Sequence, residues 1–265
     1  MSGRTLAAAA AALFQNWQQR TRIDGLPDHA RPEDRADGYA VQKEIVKLSG
    51  QKIVGWKIAA TSQAGQKHIG VDAPLAAPLL ANRVVQGSTE TPALSMAGNI
   101  MKVAEAEFAF RFGKGLPRRS IPYEAQEVLA AVESLHPAIE VPDSRYNEFA
   151  KVGAPQLIAD MACACWFVLG PPAKADWRSR DLVTHQVTAY INGKAIATGC
   201  GAHVLGDPRI ALTWIANELS TFGDGIMAGQ FVTTGTCIVP PAVAPGDRFR
   251  ADFGDLGTVE IRLEH

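Results

Sequence analysis

The pattern that most constrains this chain is a pair of acids, Glu105-Ala106-Glu107, joined by a third, Glu140, in runs otherwise suited to burial. The alternation over 102–110 predicts a strand, and residues two apart on a strand share a face, so Glu105 and Glu107 project together. Taken alone, that alternation also describes the solvated face of an edge strand, with Ala104, Ala106 and Phe108 turned to the core. Glu140 shifts the balance. It interrupts Ala138, Ile139 and Val141, and a buried carboxylate without a partner is costly. Three oxygen donors with no His or Cys nearby favour a hard divalent cation, Mg²⁺ or Mn²⁺, over zinc. Three carboxylates around such an ion leave one net negative charge, which Lys57, on a predicted strand between Trp56 and Ile58, would cancel. Lys57 also has ordinary readings, as a snorkelling side chain or as a partner for one of the acids. An octahedral ion on three protein oxygens keeps positions for a chelating ligand. A 2-oxo acid suits them, its carboxylate and keto oxygens closing a five-membered ring, with the ion acting as a Lewis acid toward an enolate.

At 265 residues, 47% hydrophobic and 20% charged, the chain is long enough to bury one large core. Its 26 basic and 27 acidic residues are interspersed, so neither nucleic acid nor a membrane surface is an expected partner, and a small molecule is. Cys163, Cys165, Cys200 and Cys237 make no metal-type or disulfide-dense spacing and are expected to be reduced, as in the cytoplasm. Arg4 and the alanine-rich run 5–14 have the outline of a secretory signal. Alanine is a weak signal-core residue but the best helix former, and the run continues into Gln15 to Arg20 without a cleavage-like break, so a first helix is predicted. No apolar run approaches the ~20 residues of a membrane span. Nucleophile-elbow, phosphate-loop and His-Glu-x-x-His signatures are absent, and His68 and His136 read as structural or surface residues.

Helices are predicted near 3–20, 33–49, 123–134, 155–164 and 208–222, the last with Pro208 at its start and Gly223 past its end. Strands are predicted near 53–58, 102–110, around Glu140, and at 165–169, 184–191, 195–199, 230–239, 247–253 and 257–263, with Asn192-Gly193 as a hairpin turn and 70–92 rich in loop. Strands and helices do not alternate as βαβ units would. The expected fold is α+β on a curled antiparallel or mixed sheet, with an N-terminal helical segment (1–50) ahead of one main domain (51–265).

Gly55-Trp56-Lys57-Ile58-Ala59-Ala60-Thr61-Ser62, the Glu105/Glu107 pair, Pro137-Ala138-Ile139-Glu140-Val141-Pro142-Asp143-Ser144-Arg145, Ile158-Ala159-Asp160, Thr234-Gly235-Thr236 and Pro245-Gly246-Asp247 follow one another over nearly the whole chain. In that order and spacing they resemble the 2-keto-4-pentenoate hydratase and 4-oxalocrotonate decarboxylase branch of the fumarylacetoacetate hydrolase superfamily. The resemblance implies a mixed β-roll, a homo-oligomer, a Mg²⁺ or Mn²⁺ site on Glu105, Glu107 and Glu140, and Lys57 as the catalytic lysine of the substrate pocket. The implied reaction hydrates a 2-hydroxydienoate to a 4-hydroxy-2-oxo acid in aromatic-compound breakdown. Ser62 and Thr236 are candidates to bind the substrate carboxylate, though each serves equally well as a turn or strand cap, and Gln42 is a further pocket candidate. One departure stands out: hydratases of this branch carry an acid in a Pro-Asp-x-Gly segment after the lysine, where this chain has Asp72-Ala73-Pro74-Leu75. Leu75 holds the acid's position, and Asp72 replaces it only if the loop shifts. Decarboxylation or C–C hydrolysis on the same scaffold, and a non-catalytic metal- or ligand-binding subunit, therefore stand as alternatives.

Overall fold

The structure, a computed structural model, describes residues 3–86 and 91–265. In chain order its elements are α1 (Gly3–Gln19), α2 (Arg35–Ser49), β1 (Ile53–Ala59), α3 (Gln63–Ile69), β2 (Leu75–Leu80), β3 (Val84–Gln86), β4 (Ala93–Ser95), β5 (Glu105–Phe112) and β6 (Leu116–Pro117). There follow α4 (Ala125–Ala131), β7 (Val132–Val141), α5 (Ala154–Ala159), β8 (Trp166–Leu169), β9 (Gln186–Ile191), β10 (Lys194–Cys200), α6 (Pro208–Phe222), β11 (Gly225–Ile226), β12 (Phe231–Thr236), β13 (Arg248–Asp252) and β14 (Thr258–Glu264). The result is the expected α+β fold with a helical start. No helix among the described residues is long and apolar enough to cross a membrane.

A mixed seven-stranded sheet runs β2-β1-β12-β5-β7-β8-β3, and a second of five strands runs β10-β9-β13-β14-β4. In β5, Phe108 meets Phe253 edge-on at 5.1 Å between ring centres, so the face carrying Ala106, Phe108 and Phe110 is the one the second sheet covers. Glu105 and Glu107 consequently point to the opposite face. That face is the inside of a curl. β1 and β7 are three strand spacings apart in the ladder, about 14 Å on a flat sheet, farther than a lysine side chain reaches. Yet Lys57 on β1 lies 2.9 Å from Glu140 on β7, so the sheet bends into a half-barrel around them.

Four expectations need correction. β5 lies in the middle of the larger sheet, paired with β12 and β7, so the edge-strand reading of Glu105 and Glu107 fails. The stretch 70–92, expected to be rich in loop, contains β2, fully buried and paired antiparallel with β1, along with β3 and the Gly70 cap of α3; residues 87–90 of that stretch lie outside the described residues. Pro78 hides β2 from a sequence reading, but β2 is an edge strand, where a missing N–H breaks no ladder. The helix expected to 134 stops at Ala131, and β7 takes over at Val132. The helix expected over 155–164 ends at Ala159 and gives way to a left-handed turn at 161–163.

The N-terminal helices pack closely on the sheet domain. Gly38 on α2 is required there, because a β-carbon would lie 2.7 Å from the Pro155 carbonyl oxygen and 2.9 Å from Ile158 Cβ. Asp34 caps α2 by accepting from the Asp37 N–H, and Gly50, at φ 64°, ends it. The hairpin at Asn192-Gly193 forms as the dipeptide predicts, both residues at positive φ between β9 and β10.

Candidate active site

Register brings the acids together. In the β5–β7 ladder Glu105 sits directly opposite Glu140 and Glu107 opposite Ala138, so all three carboxylates share one face, and an oxygen from each lies within 4.8 Å of the others. Glu107 and Glu140 are fully buried, and Glu105 is half-buried. Glu105 therefore marks the side from which the cluster can be reached.

Glu107 is clamped from β12. Its Oε2 accepts from the Thr233 hydroxyl and from the Gly235 N–H at 2.9 Å, while Oε1 has no partner among the described residues. The clamp depends on an irregularity in β12 between Thr233 and Thr236, where Gly235 adopts φ 89°. A β-carbon at Gly235 would stand 2.3 Å from Thr61 Oγ1 and 3.1 Å from the Ile58 carbonyl oxygen. Gly235→Ala is expected to lower stability by about 2–4 kcal/mol, read as a drop in thermal midpoint; an unchanged midpoint would show that the bulge tolerates a side chain.

Lys57 answers the acids from across the curl. Lys57 is 3% exposed, and its ammonium donates to the Ala162 carbonyl at 2.9 Å and pairs with Glu140 Oε1 at 2.9 Å without hydrogen-bond alignment. Burial disfavours the ammonium, but Glu140, Glu105 and Glu107 outweigh it and hold the pKa of Lys57 above its ordinary value. Burial pushes the carboxyls of Glu107 and Glu140 up, reinforced by their neighbouring acids and opposed by Lys57. One lysine against three carboxylates leaves two excess negative charges in a dry site.

The donor set fits a hard divalent ion. Glu107 Oε1 and Glu140 Oε2 are buried without hydrogen-bond partners among the described residues, and Glu140 Oε1 has only its ion pair with Lys57, an expense a protein rarely tolerates unless more positive charge sits there. Two excess charges match a divalent ion, and an all-oxygen set matches Mg²⁺.

The Ala162 carbonyl faces Lys57 because Met161, Ala162 and Cys163 are all left-handed, at φ 55°, 45° and 63°. Such backbone costs non-glycine residues about 1–2 kcal/mol each, and the surrounding structure holds it in place. Arg145, 2% exposed, binds the Asp160 carbonyl and carboxylate and donates to the Ala164 and Asp143 carbonyls at 3.0 Å. Asp160 also accepts from Ser144 Oγ at 2.7 Å and from the Arg145 N–H at 3.0 Å. The Pro-Asp-Ser-Arg and Ile-Ala-Asp runs of the sequence are thus one buried network.

The remaining candidates are differently placed. Ser62 caps α3, accepting from the Gly65 N–H, and keeps its own hydroxyl hydrogen to give. Thr236 donates to the Ile238 carbonyl at 2.9 Å. Both flank the Thr61–Gly235 contact beside Glu107. Gln42 spends both amide hydrogens on backbone, the Ala76 carbonyl at 2.9 Å and the Ile158 carbonyl at 2.6 Å, and so ties α2 to β2 and α5. Leu75 is buried in β2, and Asp72 is exposed, so Asp72 does not stand in for the missing acid. Sequence reasoning assigns no role to Thr233, Arg145 or the Ala162 carbonyl. A threonine two residues before Gly235 was the available signal for the first.

Residues 67–264 match the family model described as the C-terminal domain of fumarylacetoacetate (FAA) hydrolase. The chain is 32% identical over 254 residues to a 2-hydroxyhexa-2,4-dienoate hydratase of Comamonas testosteroni, covering 95% of this chain and 94% of that one. It is 33% identical over 233 residues to a 4-oxalocrotonate decarboxylase of Pseudomonas putida, covering 86% and 85%. A solved 4-oxalocrotonate decarboxylase from Pseudomonas putida G7, complexed with magnesium and adipate, aligns with a TM-score of 0.88 at 30% identity, over 99% of this chain and 98% of that one.

Proposed function

The chain belongs to the fumarylacetoacetate hydrolase family, and on that premise we propose that it hydrates a 2-hydroxydienoate of the 2-hydroxypenta-2,4-dienoate type to a 4-hydroxy-2-oxo acid in aromatic-compound catabolism. The observation that carries the proposal is the trio of carboxylates with orphaned oxygens facing one buried lysine. Glu105, Glu107 and Glu140 would hold Mg²⁺ or Mn²⁺, which supplies Lewis-acid polarisation of the substrate's carboxylate and C2 oxygens. Lys57 places a cation beside the same oxygens and holds its proton at Nζ. In the overall change the dienol gains a proton at C5 as its C2 hydroxyl loses one. Water then adds across C3–C4, hydroxyl to C4 and proton to C3. Ser62 and Thr236, beside the Gly235 bulge, are the polar groups proposed for the substrate carboxylate, Ser62 with its hydroxyl hydrogen unspent and Thr236 by turning its own from the Ile238 carbonyl, and the sealed faces of Glu107, Glu140 and Lys57 keep bulk water from the charged centre.

All four charged groups come from 51–265, the proposed catalytic domain; segment 1–50 buttresses it through α2. We place the enzyme in the cytoplasm as a homo-oligomer, a reading supported by four free cysteines and by the exposed side chains of Ile121, Met227 and Val239.

Leu75 favours a second reading. With an apolar residue where hydratases of this branch carry an acid, and with the alignment to a decarboxylase, loss of CO₂ from a 4-oxalocrotonate-type acid on the same groups is the alternative. Turnover of 2-hydroxypenta-2,4-dienoate, followed by dienol absorbance with product identification, separates the two. Formation of the 4-hydroxy-2-oxo acid with Mg²⁺ or Mn²⁺ and its loss on chelation are expected. Dienol decay at the uncatalysed rate in metal-loaded protein, with CO₂ released from 4-oxalocrotonate, would replace hydration by decarboxylation.

A further inference from the structure

Lys57 has three N–H bonds to direct and two of its neighbours are fixed: the Ala162 carbonyl and Glu140. Where the N–H bonds not given to the carbonyl point depends on how these two neighbours fix the ammonium. Against three carboxylates an ammonium free to swing would settle among them, so the carbonyl on its other side sets how far it stands off. That carbonyl belongs to the middle residue of a left-handed turn made without glycine, Met161-Ala162-Cys163, a conformation such residues avoid unless held.

The hold is specific. The Arg145 guanidinium binds the carbonyl of Asp160 before the turn and the carbonyl of Ala164 after it, and the Asp160 carboxylate fixes the guanidinium in place. The Asp143 N–H takes the Cys163 carbonyl at 2.9 Å, tying the turn to the chain that follows β7. The Trp17 ring covers the guanidinium 4.9 Å away. None of these groups touches the three carboxylates through a hydrogen bond.

We propose that Arg145 is a positioning residue for Lys57: by pinning both ends of the left-handed turn at 161–163 it aims the Ala162 carbonyl at the ammonium and so directs the lysine's other N–H bonds toward Glu140 and substrate. The inference rests on Lys57 acting on the substrate, as proposed above. A planar fork reaching three carbonyls and a carboxylate at once is geometry that lysine cannot reproduce.

The test is Arg145→Lys, alone and with Ala162→Gly, since glycine occupies the left-handed region without strain and lets the turn persist unpinned. Each protein is first checked for folding by circular dichroism and for Mg²⁺ affinity by calorimetry. Expected for Arg145→Lys is Mg²⁺ affinity close to that of the unaltered protein and a kcat lower by about 10- to 100-fold with little change in KM, recovered at least in part by the double variant. A merely structural arginine would lower the folded fraction and Mg²⁺ binding together and leave kcat per folded molecule unchanged. A second readout stands apart from turnover: the ammonium ¹H–¹⁵N signal of Lys57, protected in the unaltered protein, should be lost in Arg145→Lys and return in the double variant. If the unaltered protein turns over no dienol, the functional reading fails and this signal still decides the inference. Should Arg145→Lys not fold, Ala162→Pro, which cannot adopt positive φ, is expected to abolish the same signal. A signal that persists in a folded variant, or unchanged kcat, overturns the proposal.

Discussion

Glu107→Gln is expected to make the metal-free protein more stable and to remove its response to Mg²⁺. In the absence of an ion the buried carboxylates repel one another, and Glu107 Oε1 has no partner. A glutamine of the same shape gives its carbonyl to Thr233 and the Gly235 N–H and turns its amide toward Glu140, whose Oε2 has no hydrogen-bond partner among the described residues. Replacing an acid whose charged form burial and its neighbours already disfavour by a permanently neutral donor to Glu140 is worth about 1–3 kcal/mol. The same change takes away a proposed metal ligand. An ion present at about 100 times its dissociation constant stabilises the unaltered protein by about 2.7 kcal/mol, and the variant should show almost none of that. Hydratase activity should fall by at least about 100-fold, more than the usual loss on changing a group behind a ligand. Thermal midpoints of both proteins, with chelator and with saturating MgCl₂, read the result. A variant less stable than its parent without metal, and still stabilised by Mg²⁺, would make Glu107 a structural carboxylate held for Thr233.

How much of this site a sequence can display depends on whether side chains or backbone carry it. Glu105, Glu107 and Glu140 are legible because acids in apolar runs are expensive, and their shared face follows from strand periodicity and register. Lys57 is legible for the same reason. Leu75 to Leu80 is not, because Pro78 signals a break that an edge position tolerates. The left-handed turn at 161–163 leaves no trace at all: Met, Ala and Cys are ordinary helix residues, and the conformation is imposed by Arg145 and Asp160 from outside the segment. α3 is missed because none of its residues is buried, so it has no apolar stripe, only the Ser62 and Gly70 caps. Ser62, a pocket candidate on sequence grounds, caps that helix, and residue type alone does not separate the two uses.

Lys57→Met should give the opposite pattern to Glu107→Gln. Methionine fills a similar volume and removes the one buried cation beside the three acids, leaving Glu140 without its ion pair. Breaking a buried pair by removing one partner costs about 3–5 kcal/mol, so the metal-free protein should melt well below its parent. Mg²⁺ should then stabilise the variant more than it stabilises the unaltered protein, because the ion meets three carboxylates undiluted by a positive neighbour. Activity should nevertheless stay low in the metal-loaded variant, by about 10²–10³-fold, the usual loss when one group placed against developing charge is removed. Thus Glu107→Gln couples lost metal response to gained apo stability, while Lys57→Met couples enhanced metal response to lost apo stability and lost turnover. Charge balance in one dry cavity predicts both signs from the same contacts. Equal Mg²⁺-induced shifts in midpoint for Lys57→Met and its parent would mean that the lysine does not feel the ion's charge, and Lys57 would then lie outside the metal centre.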